Sequence, residues 1–412
     1  MERAATDLRL LFATRALRMF AFGVASVVLV LHLTAAGLGE ARAGLLITLT
    51  LLGDVVVSLA VTTRADRVGR RRMLALGGFL VILAGLVFAT STTFAALAAA
   101  AFVGVLSPSG NEVGPFLPIE QAALSQELPA GRRTRAFAWY QLTGSLATAL
   151  GALTGGAGAE ALQRAGVAPL RSYQALFAGY AVTGAFLVLL AARLSPAVEA
   201  PAAAAATPRD ALGLHRSRGV VLRLSALFSV DAFAGGLVVQ SFVAWWFHQR
   251  FGVGPATLGA IFFGANLLAG LSALSAARIA RRIGLVNTMV LTHLPSNLLL
   301  AAVPLAPTLP LAMTLLLLRF SISQMDVPTR QSYTMAVVAP DERAAAAGTT
   351  GIARTLGAAV APLVAGPLYA SAALAGLPFF LSGGLKVVYD LVLWRSFRNV
   401  QAEGERGGPR AP

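Results

Sequence analysis

The sequence predicts an all-α membrane protein whose 12 transmembrane helices form two pseudo-symmetric six-helix bundles. Of its 412 residues, 57% are hydrophobic and only 12% are charged, and the mean hydropathy is +0.72. Because a soluble domain carries about 25% charged residues, most of this surface is expected to face lipid. The apolar residues also fall in runs long enough to cross a bilayer core of about 30 Å, which takes about 20 helical residues.

Twelve such runs follow one another along the chain. The first is not expected to be a cleaved signal peptide, because it is too long and carries Arg15 and Arg18. The predicted spans are 9–33, 41–63, 73–91, 94–125, 136–160, 172–194, 219–248, 255–278, 286–306, 311–337, 344–370 and 377–397.

The distribution of basic residues predicts how the chain crosses the membrane. The formal net charge is +15, and the basic residues cluster between apolar runs, so a lipid bilayer explains them better than a nucleic-acid partner. One side of the predicted membrane holds only Arg42, Arg164, Arg171 and Arg250 outside the spans, and the other extramembrane arginines lie opposite. Because cytoplasmic loops are enriched in Lys and Arg, we expect a multi-pass protein of the cell (inner) membrane with both termini cytoplasmic.

The chain is expected to divide at a linker rich in alanine and proline. Residues 1–194 would form the N-terminal six-helix bundle, 195–218 a cytoplasmic linker, 219–398 the C-terminal bundle and 399–412 a cytoplasmic tail. A monomer suffices for this architecture.

Short segments of the two halves repeat at a nearly constant offset. The triplet Arg67-Val68-Gly69 after span two matches Arg282-Ile283-Gly284 after span eight, and Arg18 of span one falls opposite Asp231 of span seven. Parallel repeats of this kind place a binding site at their interface near the bilayer midplane.

The connection between spans two and three carries a recognisable motif. Residues 66–72 read DRVGRRR. They resemble the G-x-x-x-D-R-x-G-R-R-R signature of the major facilitator superfamily, with Thr62 in place of the leading glycine. The resemblance is nearest to proton-coupled efflux members and implies the fold of that superfamily, with a gating loop that locks one end state. The alternative is a simple basic anchor. The gating residues would be Asp54, Asp66, Arg67, Gly69 and Arg70.

Ionisable residues inside the spans indicate a polar interior. An ionised side chain at a helix centre costs about 2.5–3.5 kcal/mol on insertion scales, and six basic residues face six acidic ones here, which predicts internal pairing. The bases are Arg15, Arg18, Arg319, Arg330, Arg354 and Lys386, and the acids are Asp54, Glu112, Glu120, Asp231, Asp326 and Asp390.

The pairing of these residues leaves several hypotheses open. Arg18 and Asp231 are expected to pair across the two halves, either as a packing contact or as a bridge that protonation or a substrate anion opens. Lys386 and Asp390 lie four residues apart on span twelve and could neutralise each other.

Two further charges and one histidine have simpler expected roles. Glu120 and Arg330 lie near the predicted inner face, where snorkelling and solvation by loops explain them. His293 on span nine is expected to serve packing.

Span four is predicted to be broken, because Pro and Gly concentrate within it. The residues concerned are Pro108, Gly110, Gly114, Pro115 and Pro118. Non-helical backbone at this depth persists only where it lines protein or water, so Ser107, Ser109, Asn111 and Glu112 are expected to face a cavity. The segment 319–333 of span ten lies in the matching place. The alternative is a kink that only shapes the gate.

These observations favour a transporter over an enzyme. The absence of a P-loop argues against ATP-driven pumping, and no cofactor is expected. With no cysteine and four scattered histidines, no metal site is expected either.

The predicted function is secondary active transport by alternating access, as proton-coupled export of a small organic molecule. The alternative is uptake or exchange of a small anionic metabolite. A carboxyl group in a low-dielectric site can exchange a proton near neutral pH, and the coupling candidates are Glu112, Asp231 and Asp326. The substrate-cavity candidates are Arg18, Asn111, Arg319, Gln324, Arg354, Lys386 and Asp390.

Overall fold

The computed structural model describes residues 2–128, 130–199, 216–338 and 342–397, and every regular element among them is helical. Two single turns of 3₁₀-helix lie at Pro196–Val198 and Val303–Leu305. The helices are α1 (Glu2–Ala35), α2 (Glu40–Val68), α3 (Arg70–Thr90), α4 (Phe94–Val103), α5 (Phe116–Glu127), α6 (Ala130–Arg164), α7 (Pro169–Arg193), α8 (Arg218–Gly236), α9 (Gln240–Phe251), α10 (Pro255–Ile283), α11 (Leu285–Ala302), α12 (Leu309–Ser323), α13 (Asp326–Ala336), α14 (Arg343–Ala370) and α15 (Leu377–Phe397).

The predicted all-α membrane fold is confirmed. Within the described residues, nine helical stretches are long and apolar enough to cross a membrane. Spans four and ten are each divided between two shorter helices, and span five corresponds to α6. The helices therefore follow all twelve predicted spans in order.

The predicted break in span four is present between α4 and α5. Gly110 and Gly114 adopt φ angles of 71° and 83° there, a region that only glycine enters without a steric penalty. Span ten is also interrupted, at 324–325 between α12 and α13. Span seven, which the sequence predicts as continuous, is divided at 237–239 between α8 and α9.

Contacts group the chain into two compact units. The first comprises Met1–Pro208 and Val239–Asn266, and the second comprises Arg209–Val238 and Leu267–Pro412. The division at 208/209 lies within the expected linker, whereas residues 239–266, expected in the C-terminal bundle, group with the first unit. The expected domain bounds stay a prediction. Residues 200–215 of that linker and the expected tail lie outside the described residues.

Glycines allow α1 and α6 of the first unit to pack closely. A Cβ atom at Gly151 would collide with the carbonyl group of Phe20, and one at Gly155 would press on the backbone of Val24. Close packing of helices through small residues is typical of membrane proteins, where van der Waals contact drives association.

Replacing Gly151 with leucine is expected to lower the thermal unfolding midpoint in detergent. Over-packing costs about 1–3 kcal/mol, and more where only backbone can yield. Gly179 on α7 is the matched control, because a Cβ atom there would meet nothing within 4 Å. Equal midpoints for Gly151→Leu and Gly179→Leu would contradict the close crossing of α1 and α6.

Candidate functional site

The first unit contains a buried ion cluster centred on Arg18 of α1. The Nη1 and Nη2 atoms of Arg18 donate to the carboxylate of Glu120 on α5, both at 2.9 Å, and its Nε donates to Glu112 at 2.8 Å. Arg15, one helical turn earlier, also pairs with Glu112. The hydroxyl of Tyr140 on α6 donates to Glu120. Two guanidiniums therefore share two carboxylates.

Aromatic and polar side chains fix this cluster in place. The Arg18 guanidinium lies 4.4 Å from the ring centre of Phe116, and that of Arg15 lies 4.8 Å from the ring centre of Tyr140. Such cation–π contacts are worth about 0.5–2 kcal/mol each. The hydroxyl of Thr14 adds a further hydrogen bond to Glu120 at 2.7 Å.

Glu112 and Glu120 differ in access to solvent. The side chain of Glu112 is 15% exposed, whereas that of Glu120 is fully buried. The break between α4 and α5 carries Glu112, so the predicted interruption of span four delivers the accessible carboxylate. Asn111 beside it is exposed.

Asp54 of α2 contacts the break in span four. Its Oδ1 accepts a hydrogen bond from the backbone N–H of Gly114 at 2.5 Å and another from the hydroxyl of Ser58 at 3.0 Å. Asp54 therefore holds the non-helical segment of span four against α2. Its membership of the gate stays a prediction.

The signature loop binds the start of the linker. The carboxylate of Glu199 accepts from the backbone N–H groups of Arg70 and Arg71, at 2.5 and 3.4 Å. The Arg70 guanidinium donates to Gln126 at 3.0 Å and to the carbonyl of Val198 at 3.1 Å. Sequence reasoning missed Glu199, whose only signal was a single acid within an alanine- and proline-rich segment.

The other members of the predicted gate are placed around that loop. Gly69 joins α2 to α3 with a φ angle of 114°. Arg67 is exposed, and the side chain of Asp66 lies outside the described residues. The gating role of the loop therefore stays a prediction.

The second unit holds its own buried ion cluster, centred on Asp231 of α8. Lys386 of α15 donates to Oδ1 of Asp231 at 2.5 Å, and Arg330 of α13 donates to Oδ2 at 3.1 Å. Arg330 also pairs with Asp326, one turn earlier on its own helix, at 3.0 Å. These four side chains form one continuous chain of alternating charge.

One pairing predicted from the sequence is wrong. Lys386 does not neutralise Asp390 but pairs with Asp231, because that carboxylate lies within hydrogen-bond distance of its amine. Arg18 pairs with Glu112 and Glu120 of its own unit, and its expected pairing with Asp231 stays a prediction.

Glu120 and Arg330 also depart from expectation. Their exposed fractions are 0% and 3%, so neither side chain snorkels towards water. Each lies in an ion cluster and is hydrogen-bonded there, as buried charges generally must be.

Asp390 belongs to a polar group that includes His293. Oδ1 of Asp390 lies 2.9 Å from Nδ1 of His293, and its Oδ2 accepts from the amide nitrogen of Asn297 at 2.9 Å. The expectation that His293 only packs is therefore wrong. The available signal was the matched spacing of four residues in both polar pairs, His293 with Asn297 and Lys386 with Asp390.

Arg319 and Arg354 contrast with the other cations of this unit. Both are half-buried, and neither forms an ion pair with any residue that the structure describes. The charges of Asp231 and Asp326 act on both guanidiniums from a distance. Gln324, also half-buried, ends α12 at the interruption of span ten.

Comparisons with known proteins agree with this architecture. The chain matches the Major Facilitator Superfamily over residues 11–362. An uncharacterised membrane protein of Saccharomyces cerevisiae is 32% identical over 430 residues, which cover 97% of this chain and 96% of the relative.

Solved transporters share the fold at low identity. A bacterial homologue of the human lysosomal transporter Spinster, in an inward-facing and unoccupied conformation, aligns with a TM-score of 0.72 at 16% identity, covering 99% of both chains. The nucleoside transporter NupG aligns with a TM-score of 0.72 at 16% identity, covering 97% of this chain and all of NupG. The E. coli xylose transporter XylE, in an inward-open conformation, gives 0.73 at 14% identity, covering 96% and 98%.

One assignment follows from the helical spans, the signature loop and the family match over most of the chain. The molecule is a multi-pass membrane protein and a transporter, not an enzyme. It belongs to the major facilitator superfamily.

Proposed function

We propose that this secondary transporter carries a small organic anion, which Arg319 and Arg354 bind, and that protons drive the transport. The anionic substrate comes from the alternative drawn from the sequence, and the proton coupling comes from the predicted function. Export, the inner membrane, cytoplasmic termini and a monomeric state stay predictions.

The observation that carries the proposal is the contrast among buried cations. Arg15, Arg18, Arg330 and Lys386 each pair with a carboxylate. Arg319 and Arg354 have no such partner in the described part of the chain. An ionised group away from water is costly unless it is paired, so two unpaired guanidiniums fit a site that a negatively charged substrate completes.

The charges of the second unit support the same conclusion. Its central cations are Arg319, Arg330, Arg354 and Lys386, and its carboxylates are Asp231, Asp326 and Asp390. While His293 is neutral, these four positive charges exceed the three negative charges of the carboxylates by one. A substrate with one carboxylate group would balance it, and guanidiniums bind carboxylate and phosphate groups through paired hydrogen bonds.

Glu112 is the favoured proton carrier among the three candidate carboxylates. Asp231 is 4% exposed and Asp326 is 5% exposed, and each lies within an ion cluster. Glu112 is more accessible, and Arg15 and Arg18 both pair with it. Protonation of Glu112 would remove one negative charge, take away the carboxylate partner of Arg15 and leave Arg18 bound to Glu120 alone. That is a large electrostatic change at a partly exposed side chain.

Anion counterflow in proteoliposomes tests the substrate class. We expect exchange of some members of a panel of monocarboxylates, dicarboxylates and phosphorylated metabolites, and no exchange of organic cations. Arg319→Gln and Arg354→Gln should each raise the half-maximal substrate concentration about 10- to 100-fold, because hydrogen bonds to charged groups contribute about 1.5–3 kcal/mol.

The matched control is Arg281→Gln, which removes an exposed arginine from the end of α10. It should leave counterflow unchanged. Transport of a cation at equal rates in wild type, Arg319→Gln and Arg354→Gln would contradict the proposal.

A further inference from the structure

His293 lies where it could exchange a proton between two carboxylates. It is on α11, four residues before Asn297, and both side chains face α15. Asp390 takes one hydrogen bond from each of them, at 2.9 Å. The exposed fractions of His293, Asn297 and Asp390 are 5%, 0% and 1%, so the group is closed off from bulk solvent.

The second ring nitrogen of His293 points towards the ion cluster. Its Nε2 lies 3.9 Å from Oδ1 of Asp231. The same oxygen accepts the hydrogen bond from Lys386 at 2.5 Å. The imidazole therefore separates Asp390 from Asp231, and it competes with Lys386 for one oxygen atom.

Two side chains contact Nδ1 of His293, Asp390 at 2.9 Å and the amide nitrogen of Asn297 at 3.2 Å. The contact with Asp390 assigns the neutral form of the ring when that carboxyl group is ionised. An ionised Asp390 only accepts hydrogen bonds, so the neutral ring places its proton on Nδ1 and donates it to Asp390. Nε2 is then the free acceptor. A proton that binds Nε2 creates an imidazolium between two carboxylates, and Nδ1–H stays with Asp390.

We infer that His293, held by Asp390, is a proton-binding site of the second unit, and that its protonation weakens the bond between Asp231 and Lys386. The inference rests on the proposed proton coupling and names a second site for it. Histidine is the side chain that ordinarily titrates between pH 5 and 8, and the imidazolium would take a share of the Asp231 carboxylate.

The neighbours of the ring account for the charges that act on it. On α11 itself Asn297 is the polar neighbour, and each packed helix contributes charged or titratable groups. Asp231 from α8 and Tyr389 and Asp390 from α15 lie against the ring. Arg330 from α13 and Lys386 from α15 both bind Asp231, and Arg319 from α12 interacts with the same carboxylate at longer range.

The rate of counterflow as a function of pH, with equal pH on both sides, tests the inference. We expect a rate that depends on pH in wild type and depends on it less in His293→Gln, with transport retained. His248→Gln is the matched control, because that ring bonds only the carbonyl of Val253 among described groups and should leave the profile unchanged. A His293→Gln profile that matches wild type overturns the inference and leaves the proposed anion transport intact.

A substrate-free measurement separates this inference from the proposed function. Acid titration of the purified protein between pH 5 and 8 should show one proton fewer in His293→Gln than in wild type. If no anion is transported at all, the proposed function fails and this titration alone decides the inference, with equal proton counts overturning it. If His293→Gln does not fold, Asp390→Asn takes its place, and an unchanged titration between pH 5 and 8 in that variant overturns the inference.

Discussion

Replacing Glu120 with alanine is expected to destabilise the protein by about 3–5 kcal/mol, because removing one partner of a buried ion pair leaves the other charge uncompensated. Arg18 would lose both of its hydrogen bonds to that carboxylate, and the hydroxyl groups of Thr14 and Tyr140 would lose their acceptor. The unfolding midpoint in detergent, followed by circular dichroism during heating, measures the effect.

Two variants make this prediction specific. Glu120→Gln keeps the shape and one oxygen acceptor, so it should lie between wild type and Glu120→Ala. Glu40→Ala removes a half-buried carboxylate from the first turn of α2. That carboxylate has no ion pair among the described residues, so its loss should lower the free energy of unfolding by only a few tenths of a kcal/mol to about 1 kcal/mol. Equal midpoints for Glu120→Ala and Glu40→Ala would contradict a structural role for the cluster.

The breaks in the spans could be predicted because their causes are local. Proline lacks a backbone donor and glycine tolerates positive φ, so the residues between Pro108 and Pro118 were sufficient to predict that span four is broken, but not that α4 ends at Val103. The division of span seven at 237–239 had a weaker signal, since only Gly235 and Gly236 precede it.

The ion pairs could not be predicted in the same way. Periodicity shows which side chains share one face of a helix, but it does not show which helix packs against that face. Arg18 and Glu120 are 102 residues apart in sequence, and only the packing of α1 on the interrupted span four brings them together. Equal numbers of acids and bases indicated pairing without identifying the partners.

Glu112 and Glu120 of the first unit differ in exposure, and this difference indicates which carboxylate is structural and which could carry a proton. Glu120 is fully buried and accepts four hydrogen bonds from three side chains, which suits a fixed structural charge. Glu112 sits on non-helical backbone and has fewer hydrogen bonds. This exposure lets Glu112 exchange a proton with water directly, so the same break that interrupts the helix supports the proposed coupling.

Replacing Glu112 with glutamine is therefore expected to abolish accumulation driven by a pH gradient and to retain counterflow. Glutamine keeps the shape of the side chain and an oxygen acceptor for the Nε of Arg18, but it cannot change its charge. Alternating access would continue with bound substrate on both sides, whereas the proton could no longer be exchanged at this position. Uptake into proteoliposomes, with and without an imposed pH gradient, measures both activities in one preparation.

The control for this prediction is another carboxylate of the first unit with similar access. The side chain of Glu160 is 20% exposed, and its carboxylate accepts from the backbone N–H of Ala256 at 2.8 Å. Glu160→Gln should therefore retain gradient-driven accumulation. Accumulation by Glu112→Gln at the level of wild type would remove Glu112 from the coupling mechanism. Loss of counterflow together with accumulation would instead assign Glu112 to substrate binding or to the conformational change, since an uncoupled carrier must still exchange its substrate.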